Sequence, residues 1–544
     1  MTKPRQKPQR NYIHRTWLAA AALIAVLTAV SFIPPFTVLG VTVRRANIWS
    51  DLLTFGDAVP AGAACYDGND PTAADEMDVD FEVIAAEIAA DTVRQPQTVI
   101  SYEWTITQPD GAGHTAAGIA AARDTQIPEP ADGYTPVEDF DTTGMAGWTR
   151  FLDRLSSRQP VRIAVLGDSF IEGDIMTCDL RGMLQKAFGA ADDGTGFAPT
   201  ASPLTGFRRT VKTRSSGWTS YNVMQQKRTP EALADKYMTG GWICVPAAGA
   251  SARWEPTSYA REQEGFASHA DIYFLAPADS RLEAELNDTL TRRFEVEGSP
   301  LLRRISVEAP AISSLTLRVT QPGTGFIAYG ASFYGHGVTL DNYSVRSNSG
   351  QALLRMNHSL NAQLDNFTPY DLVVLQYGLN IMQQGRYNYD NYTSQVEKFI
   401  GLVRSCFPSA AVLVMGVSDR SVKSESGGFS PMDALPHMTE AQRQAARNTG
   451  AAFWNTCDAM QREGGMARFV ADGCAGKDYT HINYAGGRRI ARALFDAISA
   501  AAGQYSRRRA AEEQAAAIEA VLTNEFATMI DSLLTTPPVM PARQ

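Results

Sequence analysis

Cysteine, histidine and the short spacings typical of metal sites are scarce in this chain. Its 544 residues include six cysteines and seven histidines. No C-x-x-C or H-E-x-x-H pattern occurs and the histidines are scattered, so the sequence predicts neither a metal site nor a cofactor. The formal net charge is −9, and no basic stripe carries interleaved aromatics. Both observations argue against a nucleic-acid partner.

The N-terminal residues have the charge pattern of a membrane anchor. All charges in residues 1–15 are basic, and we assign this range to a cytoplasmic segment. Residues 16–37 form an apolar run that is long enough to span a bilayer, and they are predicted as a single transmembrane helix. The basic flank predicts that the rest of the chain is exported. A cleaved signal peptide is the alternative, but Pro34-Pro35-Phe36 lacks a small-x-small cleavage site.

Export would place the six cysteines in an oxidising compartment, where disulfides form. Cys457 and Cys474 are the favoured pair, because they are close in sequence and flank a predicted loop. Buried free thiols are the alternative for every cysteine. Connectivity itself does not follow from the sequence.

Residues 38–140 differ in composition from the rest. Between Asp51 and Phe140 acids are many, and only Arg94 and Arg123 are basic. Such a segment, rich in Ala, Thr, Pro and Gly, is typical of a solvated spacer. Residues 98–107 (TVISYEWTIT) alternate well enough to form one strand.

An α/β frame follows the spacer and is interrupted once. In residues 141–196, a short apolar strand (residues 161–166) runs into Gly167-Asp168-Ser169, and a helix follows at residues 176–188. Residues 197–336 instead contain short alternating runs between turn signals, which predict an inserted β-sandwich. In residues 337–504 strands and helices alternate again, which predicts a parallel sheet with helices on both faces. Residues 505–544 are predicted as a helical tail.

Side chains suited to ester hydrolysis follow the ends of these strands. Ser169 is the candidate nucleophile, His481 the base, and Asp478 the carboxylate that orients His481. The N–H groups of Ser169 and Gly350 and the side-chain amide of Asn380 would bind the oxyanion. An ordinary strand–turn–helix is the competing interpretation of Gly167-Asp168-Ser169 taken alone. Weaker rivals are Asp472 for Asp478, and Gly249 or Ser332 for Gly350.

These residues resemble the four motif blocks of the SGNH (GDSL-type) hydrolases. The blocks are Gly167-Asp168-Ser169, Gly350, Gly378-x-Asn380 and Asp478-x-x-His481. The resemblance implies a flavodoxin-like three-layer α/β/α fold and esterase activity through an acyl-serine. The G-x-S-x-G elbow of other serine esterases is absent. One departure is Ser347, which occupies the place where the family usually has an earlier glycine.

The inserted module resembles that of exported bacterial O-acetylpeptidoglycan esterases. That resemblance implies a jelly-roll-like insert, an acylated polysaccharide or peptidoglycan substrate, and a periplasmic catalytic domain held at the inner membrane by the N-terminal helix. Trp218, Tyr221, Trp242 and Trp254 are candidates to stack on sugar rings, with packing in a sandwich core as the alternative. An O-acetyltransferase with the same triad, or an inactive anchored carbohydrate-binding protein, are the alternative functions. The oligomeric state is not predicted.

Overall fold

The computed structural model describes residues 36–38, 41–43, 99–105, 127–144, 147–190, 192–206, 208–263, 266–424 and 427–535. The strands are β1 (Phe36–Val38), β2 (Val41–Val43), β3 (Ile100–Thr105), β4 (Val137–Asp139), β5 (Val161–Gly167), β6 (Gly196–Pro199), β7 (Val211–Asn222), β8 (Trp242–Pro256), β9 (His269–Ala276), β10 (Ser280–Leu286), β11 (Leu290–Val296), β12 (Ser299–Glu308), β13 (Leu315–Gln321), β14 (Ile327–Tyr334), β15 (Val338–Ser344), β16 (Leu372–Gln376), β17 (Ala411–Met415), β18 (Ser421–Lys423), β19 (Phe429–Pro431) and β20 (Ala452–Trp454). The helices are α1 (Trp148–Ser156), α2 (Thr177–Phe188), α3 (Ser258–Gln263), α4 (His358–Phe367), α5 (Asp390–Cys406), α6 (Leu435–Thr449), α7 (Thr456–Arg462), α8 (Gly465–Ala471) and α9 (Tyr484–Thr535).

The chain divides into two compact units, Met1–Pro71 and Thr72–Gln544. In the first unit, β1 pairs antiparallel with β2. The predicted cytoplasmic segment and nearly all of the predicted transmembrane helix, residues 1–35, lie outside the described residues. Among the residues that are described, none of the helices is both long enough and apolar enough to cross a bilayer.

The α/β frame is built on a sheet with the order β15-β5-β16-β17-β20-β4. The first five strands are parallel, and β4 pairs antiparallel with β20 at the edge. Counted along the frame, the parallel strands have the order 2-1-3-4-5, which is that of flavodoxin-like sheets. All seven residues of β5 are buried, as expected for a strand covered on both faces. Arg162 is accommodated there because its guanidinium pairs with Asp341 at 2.8 Å.

Helices cover both faces of this sheet. On one face α1 and α2 pack against α9, and on the other α5 packs between α4 and α6. The amphipathic α1 shows how a helix layer is held on the sheet. The residues on its buried side are Trp148, Phe151, Leu152 and Leu155. The expected three-layer arrangement of helices, sheet and helices is therefore present.

The inserted module, β6 to β14, folds as one ten-stranded sheet together with β3. Residues from both halves of this sheet, such as Ile272 on β9 and Leu317 on β13, belong to one apolar core. A second set of insert residues, including Tyr273 and Tyr329, belongs to the core of the frame. The insert therefore packs on the frame through buried apolar side chains.

Two strands from the range assigned to the spacer, β3 and β4, pair with the insert and with the frame. β3 falls within residues 98–107, where one strand was expected, and it pairs parallel with β12 of the insert. β4 pairs with β20 of the frame, so the frame begins before residue 141. Three residues are too few to give a periodic pattern, which is why the sequence showed no strand there.

Other elements also differ from the sequence-based expectation. The last frame helix and the tail form one continuous helix, α9, because no proline or capping signal interrupts the good helix formers between them. The favoured disulfide is wrong: Cys457 and Cys474 are both buried free thiols.

Candidate active site

Three strands of the frame end side by side, and each is followed by a loop that carries a candidate residue. Gly167 of β5 lies opposite Ser344 of β15 and Gln376 of β16 in the sheet register. The loops with Ser169, Gly350 and Asn380 therefore start at the same level. The carboxyl edge of a parallel sheet is where open α/β folds bind ligands.

Ser169, His481 and Asp478 form a continuous hydrogen-bonded chain. Ser169 Oγ lies 3.2 Å from His481 Nε2, and His481 Nδ1 lies 2.6 Å from Asp478 Oδ2. Asp478 Oδ1 also accepts hydrogen bonds from the backbone N–H groups of Thr480 and His481. The carboxylate is thereby fixed beneath the ring, and Nε2 is left to accept the serine proton.

The ionisation of Asp478 and His481 suits His481 to act as a general base. The hydrogen bond to Asp478, opposed by burial, raises the pKa of His481. Burial would raise the pKa of Asp478, but the hydrogen bonds from His481 and from the backbone outweigh it and lower the pKa to about 2. Asp478 is therefore ionised at neutral pH, which stabilises the imidazolium formed when His481 takes a proton.

The helix that follows places His481 at the sheet edge. Asn483 accepts hydrogen bonds from the N–H groups of Ala485 and Gly486 and so caps α9, an ordinary N-terminal signal. Asp472, the rival to Asp478, pairs with Arg468 and Arg489 instead.

The three candidate oxyanion donors lie in the adjoining loops. In the described residues the N–H of Ser169 has no hydrogen-bond acceptor. The N–H of Gly350 donates to Asn348 Oδ1 at 2.9 Å. Asn380 Nδ2 donates to Asp168 Oδ2 at 2.9 Å and to the Asn348 carbonyl at 3.0 Å. Two of the three donors are thus held by internal acceptors.

Gly350 occupies a position that only glycine fits. Its φ is +97°, and a Cβ there would collide with the Phe399 ring. The rivals lie elsewhere: Gly249 is in β8 of the insert, and Ser332 is buried in β14, where its hydroxyl bonds to Arg162 and Asp341.

Comparison with known proteins identifies the fold. No protein-family model matches the sequence, and no curated protein matches it either. The structure is similar to that of a peptidoglycan O-acetylesterase, with a TM-score of 0.54, 21% identity, and coverage of 67% of this chain and 99% of the other. This chain has the same α/β fold as that structure.

Other solved structures align with smaller parts of this chain. A GDSL-like lipase from Parabacteroides merdae is 11% identical with a TM-score of 0.24, covering 30% of this chain and 74% of its own. Est24, a carbohydrate acetylesterase from Sinorhizobium meliloti, is 16% identical with a TM-score of 0.22, covering 30% and 80%.

Asn348 is a site residue that the sequence analysis missed. It is 1% exposed, and its Oδ1 accepts the N–H groups of both Gly350 and Ala352. Its carbonyl accepts Asn380 Nδ2, and its own Nδ2 is buried with no partner in the described residues. One residue therefore holds two of the candidate oxyanion donors of this site. Its only sequence signal is its place in Ser347-Asn348-Ser349-Gly350, a run typical of turns.

Asp168 links the loop after β5 to the loop that carries Asn380. It is fully buried and accepts the N–H of Phe170 and the amide of Asn380, each at 2.9 Å. Burial raises its pKa to about 7. These contacts agree with the structural role expected of Asp168 from the sequence.

An aromatic pair borders the triad on the other side. Tyr479, between Asp478 and His481, has a φ of +54°, and its ring stacks on Phe429 of β19 at 3.6 Å. The N–H of Ser421 in β18 also donates to the Tyr479 carbonyl. The β18–β19 hairpin thereby braces the loop that carries His481.

The aromatic residues expected to contact sugar have different environments. Trp254 is fully buried in the insert, and its indole N–H donates to the Pro199 carbonyl, so the expectation that it stacks on substrate is wrong. The long β8 alternates between core and surface, and Trp254 falls on the core side. Trp218 and Tyr221 are partly buried against the two cores, and their contact with substrate stays a prediction.

Proposed function

We propose that this protein is a serine esterase that removes O-acetyl groups from a polysaccharide of the cell envelope, such as peptidoglycan. The observation that carries the proposal is the hydrogen-bonded chain from Ser169 through His481 to Asp478 at the carboxyl edge of the sheet. The similarity of the fold to a peptidoglycan O-acetylesterase supports the class of substrate. An envelope location rests on the N-terminal sequence.

In the first half of the reaction, Ser169 Oγ attacks the acetyl carbonyl carbon while its proton passes to His481 Nε2. The carbonyl oxygen becomes an oxyanion and the ring becomes an imidazolium beside ionised Asp478. The carbon–oxygen bond to the sugar then breaks. The sugar oxygen takes the proton from Nε2, and an acetyl group remains on Ser169.

In the second half, His481 takes a proton from water as the water oxygen attacks the acetyl carbon. The ester bond to Ser169 breaks, its oxygen recovers the proton from Nε2, and acetic acid leaves. The side chains of His481 and Asp478 are 51% and 45% exposed. This exposure gives water direct access to the acetyl-enzyme, which favours hydrolysis over transfer to a second sugar.

Binding of the oxyanion requires an exchange of hydrogen bonds. The N–H of Ser169 is free to donate at once. The N–H of Gly350 turns from Asn348 Oδ1 to the oxyanion, and Oδ1 keeps the N–H of Ala352 as a donor. Asn380 Nδ2 likewise gives up one of its two acceptors, Asp168 Oδ2 or the Asn348 carbonyl, and donates to the oxyanion instead. Each such donor contributes about 2.7–4 kcal/mol to catalysis in serine esterases and proteases.

The test is an acetate-release screen with the full-length chain on O-acetylated peptidoglycan, O-acetylated xylan and p-nitrophenyl acetate. We expect release from all acetyl esters that reach the site, with a preference for the envelope polymer, and no release by Ser169→Ala. Hydrolysis of the model ester with equal or lower activity on peptidoglycan than on xylan would contradict the substrate class. Acetyl transfer to added oligosaccharide in excess of hydrolysis would favour the O-acetyltransferase alternative.

A further inference from the structure

A second cluster of reactive side chains lies where the chain leaves the frame for the insert and returns to it. Asp192 is in the loop between α2 and β6, and His336 is between β14 and β15. His269 begins β9 of the insert. A ligand-type atom of each of these three residues lies within 4.8 Å of those of the other two.

The three side chains are held in place by neighbours. His336 Nδ1 lies 2.6 Å from Asp192 Oδ2, and Ser268 Oγ donates to the same carboxylate oxygen at 2.5 Å. Ser268 Oγ also lies 2.7 Å from His269 Nδ1. Tyr334 stacks on the His269 ring with 5.3 Å between centroids. Little side-chain entropy is therefore left to lose when a ligand binds.

Two imidazoles and one carboxylate are the donor set that proteins use for Zn²⁺ and related divalent ions. In a tetrahedral site with bonds of about 2.0–2.1 Å, the ligand atoms lie about 3.3 Å apart. The separations in the cluster run from 2.6 Å to at most 4.8 Å and bracket that value. The largest separation exceeds this value by at most about 1.5 Å, so rotations of the side chains would bring the atoms to binding geometry.

We propose that Asp192, His269 and His336 bind a divalent transition-metal ion, with Zn²⁺ as the first candidate. The ion replaces the proton shared by His336 Nδ1 and Asp192 Oδ2, and the His336 ring then carries its proton on Nε2. Water fills the fourth position. Glu308 lies opposite His269 in the β9–β12 register, so a second carboxylate on that face of the sheet adds attraction for a cation.

The ion would be structural, because the cluster is far from the triad. In the β5–β15 register, Val338, two residues after His336, pairs with Val161, whereas Ser344 pairs with Gly167 next to the catalytic loop. A strand of seven residues separates the two ends by about 20 Å. A metal here ties together both crossings between frame and insert, and it would raise the free energy of unfolding without entering the reaction.

Equilibrium binding of metal to the tag-free full-length chain tests this proposal. After treatment with a chelator, we expect titration calorimetry with ZnCl₂ to show one tight site per chain, and the midpoint of thermal unfolding to rise with added ZnCl₂. His336→Gln should weaken this binding at least about tenfold, in line with the loss of a ligand. His437→Gln is the matched control, since His437 lies away from the cluster beside Tyr387, and it should bind as the unmodified chain does.

His336 is an exposed residue, so its replacement should leave the fold intact, and an unchanged circular dichroism spectrum of the metal-free His336→Gln chain checks this. Cobalt substitution adds a second readout, because a thiolate ligand gives a charge-transfer band that this donor set lacks. Absence of a tight site, equal binding by His336→Gln and His437→Gln, or a thiolate band would each overturn the proposal. None of these outcomes depends on whether the chain is an esterase.

Discussion

His481 Nε2 lies 3.2 Å from Ser169 Oγ, although 312 positions separate the two residues in the chain. Ser169 follows β5, the first parallel strand of the frame, His481 precedes α9, and the whole inserted module lies between them in sequence. Their contact depends on the parallel sheet, which brings the ends of distant strands to one edge. Transfer of the serine proton to His481 in the proposed reaction depends on this contact.

Replacing Asp478 should change both the rate and its pH dependence. The hydrogen bond to Asp478 raises the pKa of His481, and only the neutral ring accepts the serine proton. We therefore expect kcat/KM to fall with decreasing pH, with an apparent pKa above the ordinary value of about 6.5. Asp478→Asn should lower kcat by roughly 10²–10⁴-fold and move the apparent pKa downward.

The measurement is the pH profile of p-nitrophenyl acetate hydrolysis. Asp472→Asn is the matched control, because Asp472 pairs with arginines and not with His481, and its profile should be that of the unmodified enzyme. A profile for Asp478→Asn with the same apparent pKa as the unmodified enzyme would be incompatible with this role.

Asn348 should act as a positioning residue for the oxyanion donors. Asn348→Ala removes the acceptor that holds the N–H of Gly350, so we expect kcat to fall about tenfold or more while KM changes little. The loss should be smaller than the roughly 10²–10³-fold that follows removal of a donor. Asn348→Ser keeps an oxygen that can accept from a backbone N–H, and it should restore part of kcat. Equal kcat in Asn348→Ala and the unmodified enzyme would refute the assignment.

Phe429 should support catalysis through Tyr479. Removing the stacked ring with Phe429→Ala loses about 0.5–1.5 kcal/mol of aromatic contact and loosens the loop between Asp478 and His481. We expect kcat to fall by a factor of about 2–10 on p-nitrophenyl acetate and on O-acetylated polymer alike. Phe429→Leu should lose less, since it keeps apolar contact. A rise in KM confined to the polymer would instead make Phe429 a sugar contact.

Trp254 should matter for stability. Because it is fully buried and its indole N–H is bonded to the Pro199 carbonyl, Trp254→Ala should lower the free energy of unfolding by about 3–5 kcal/mol. Denaturant unfolding measures this change. Trp218→Ala, at a partly buried position, is the comparison and should cost less. Full stability of Trp254→Ala combined with weaker polymer binding would restore the original expectation.

Much of the frame could be predicted because its strands are buried on both faces and read as apolar runs. The strand before Ser169 was expected at residues 161–166 and is Val161–Gly167. Strands and helices were expected to alternate in residues 337–504, and they do, as where β16 is followed by α5 (Asp390–Cys406). The short β4 was missed because its role depends on pairing with β20, which no local pattern encodes.

The chemistry of the site was easier to predict than its support. Ser169, Asp478 and His481 have side chains whose reactivity is visible in the sequence. Asn348 and Phe429 act through position, and both lie far from the triad residues in sequence. The role of Trp254 was predicted wrongly for a different reason. An aromatic residue on an alternating strand gives the same sequence pattern whether it faces the core or the solvent.

Release of acetate from p-nitrophenyl acetate by the full-length chain tests whether Ser169 is the nucleophile. We predict turnover by the unmodified chain and by Ser313→Ala, a change at an exposed site in the insert, and none above background by correctly folded Ser169→Ala. Turnover by Ser169→Ala at the rate of the unmodified chain would contradict this prediction.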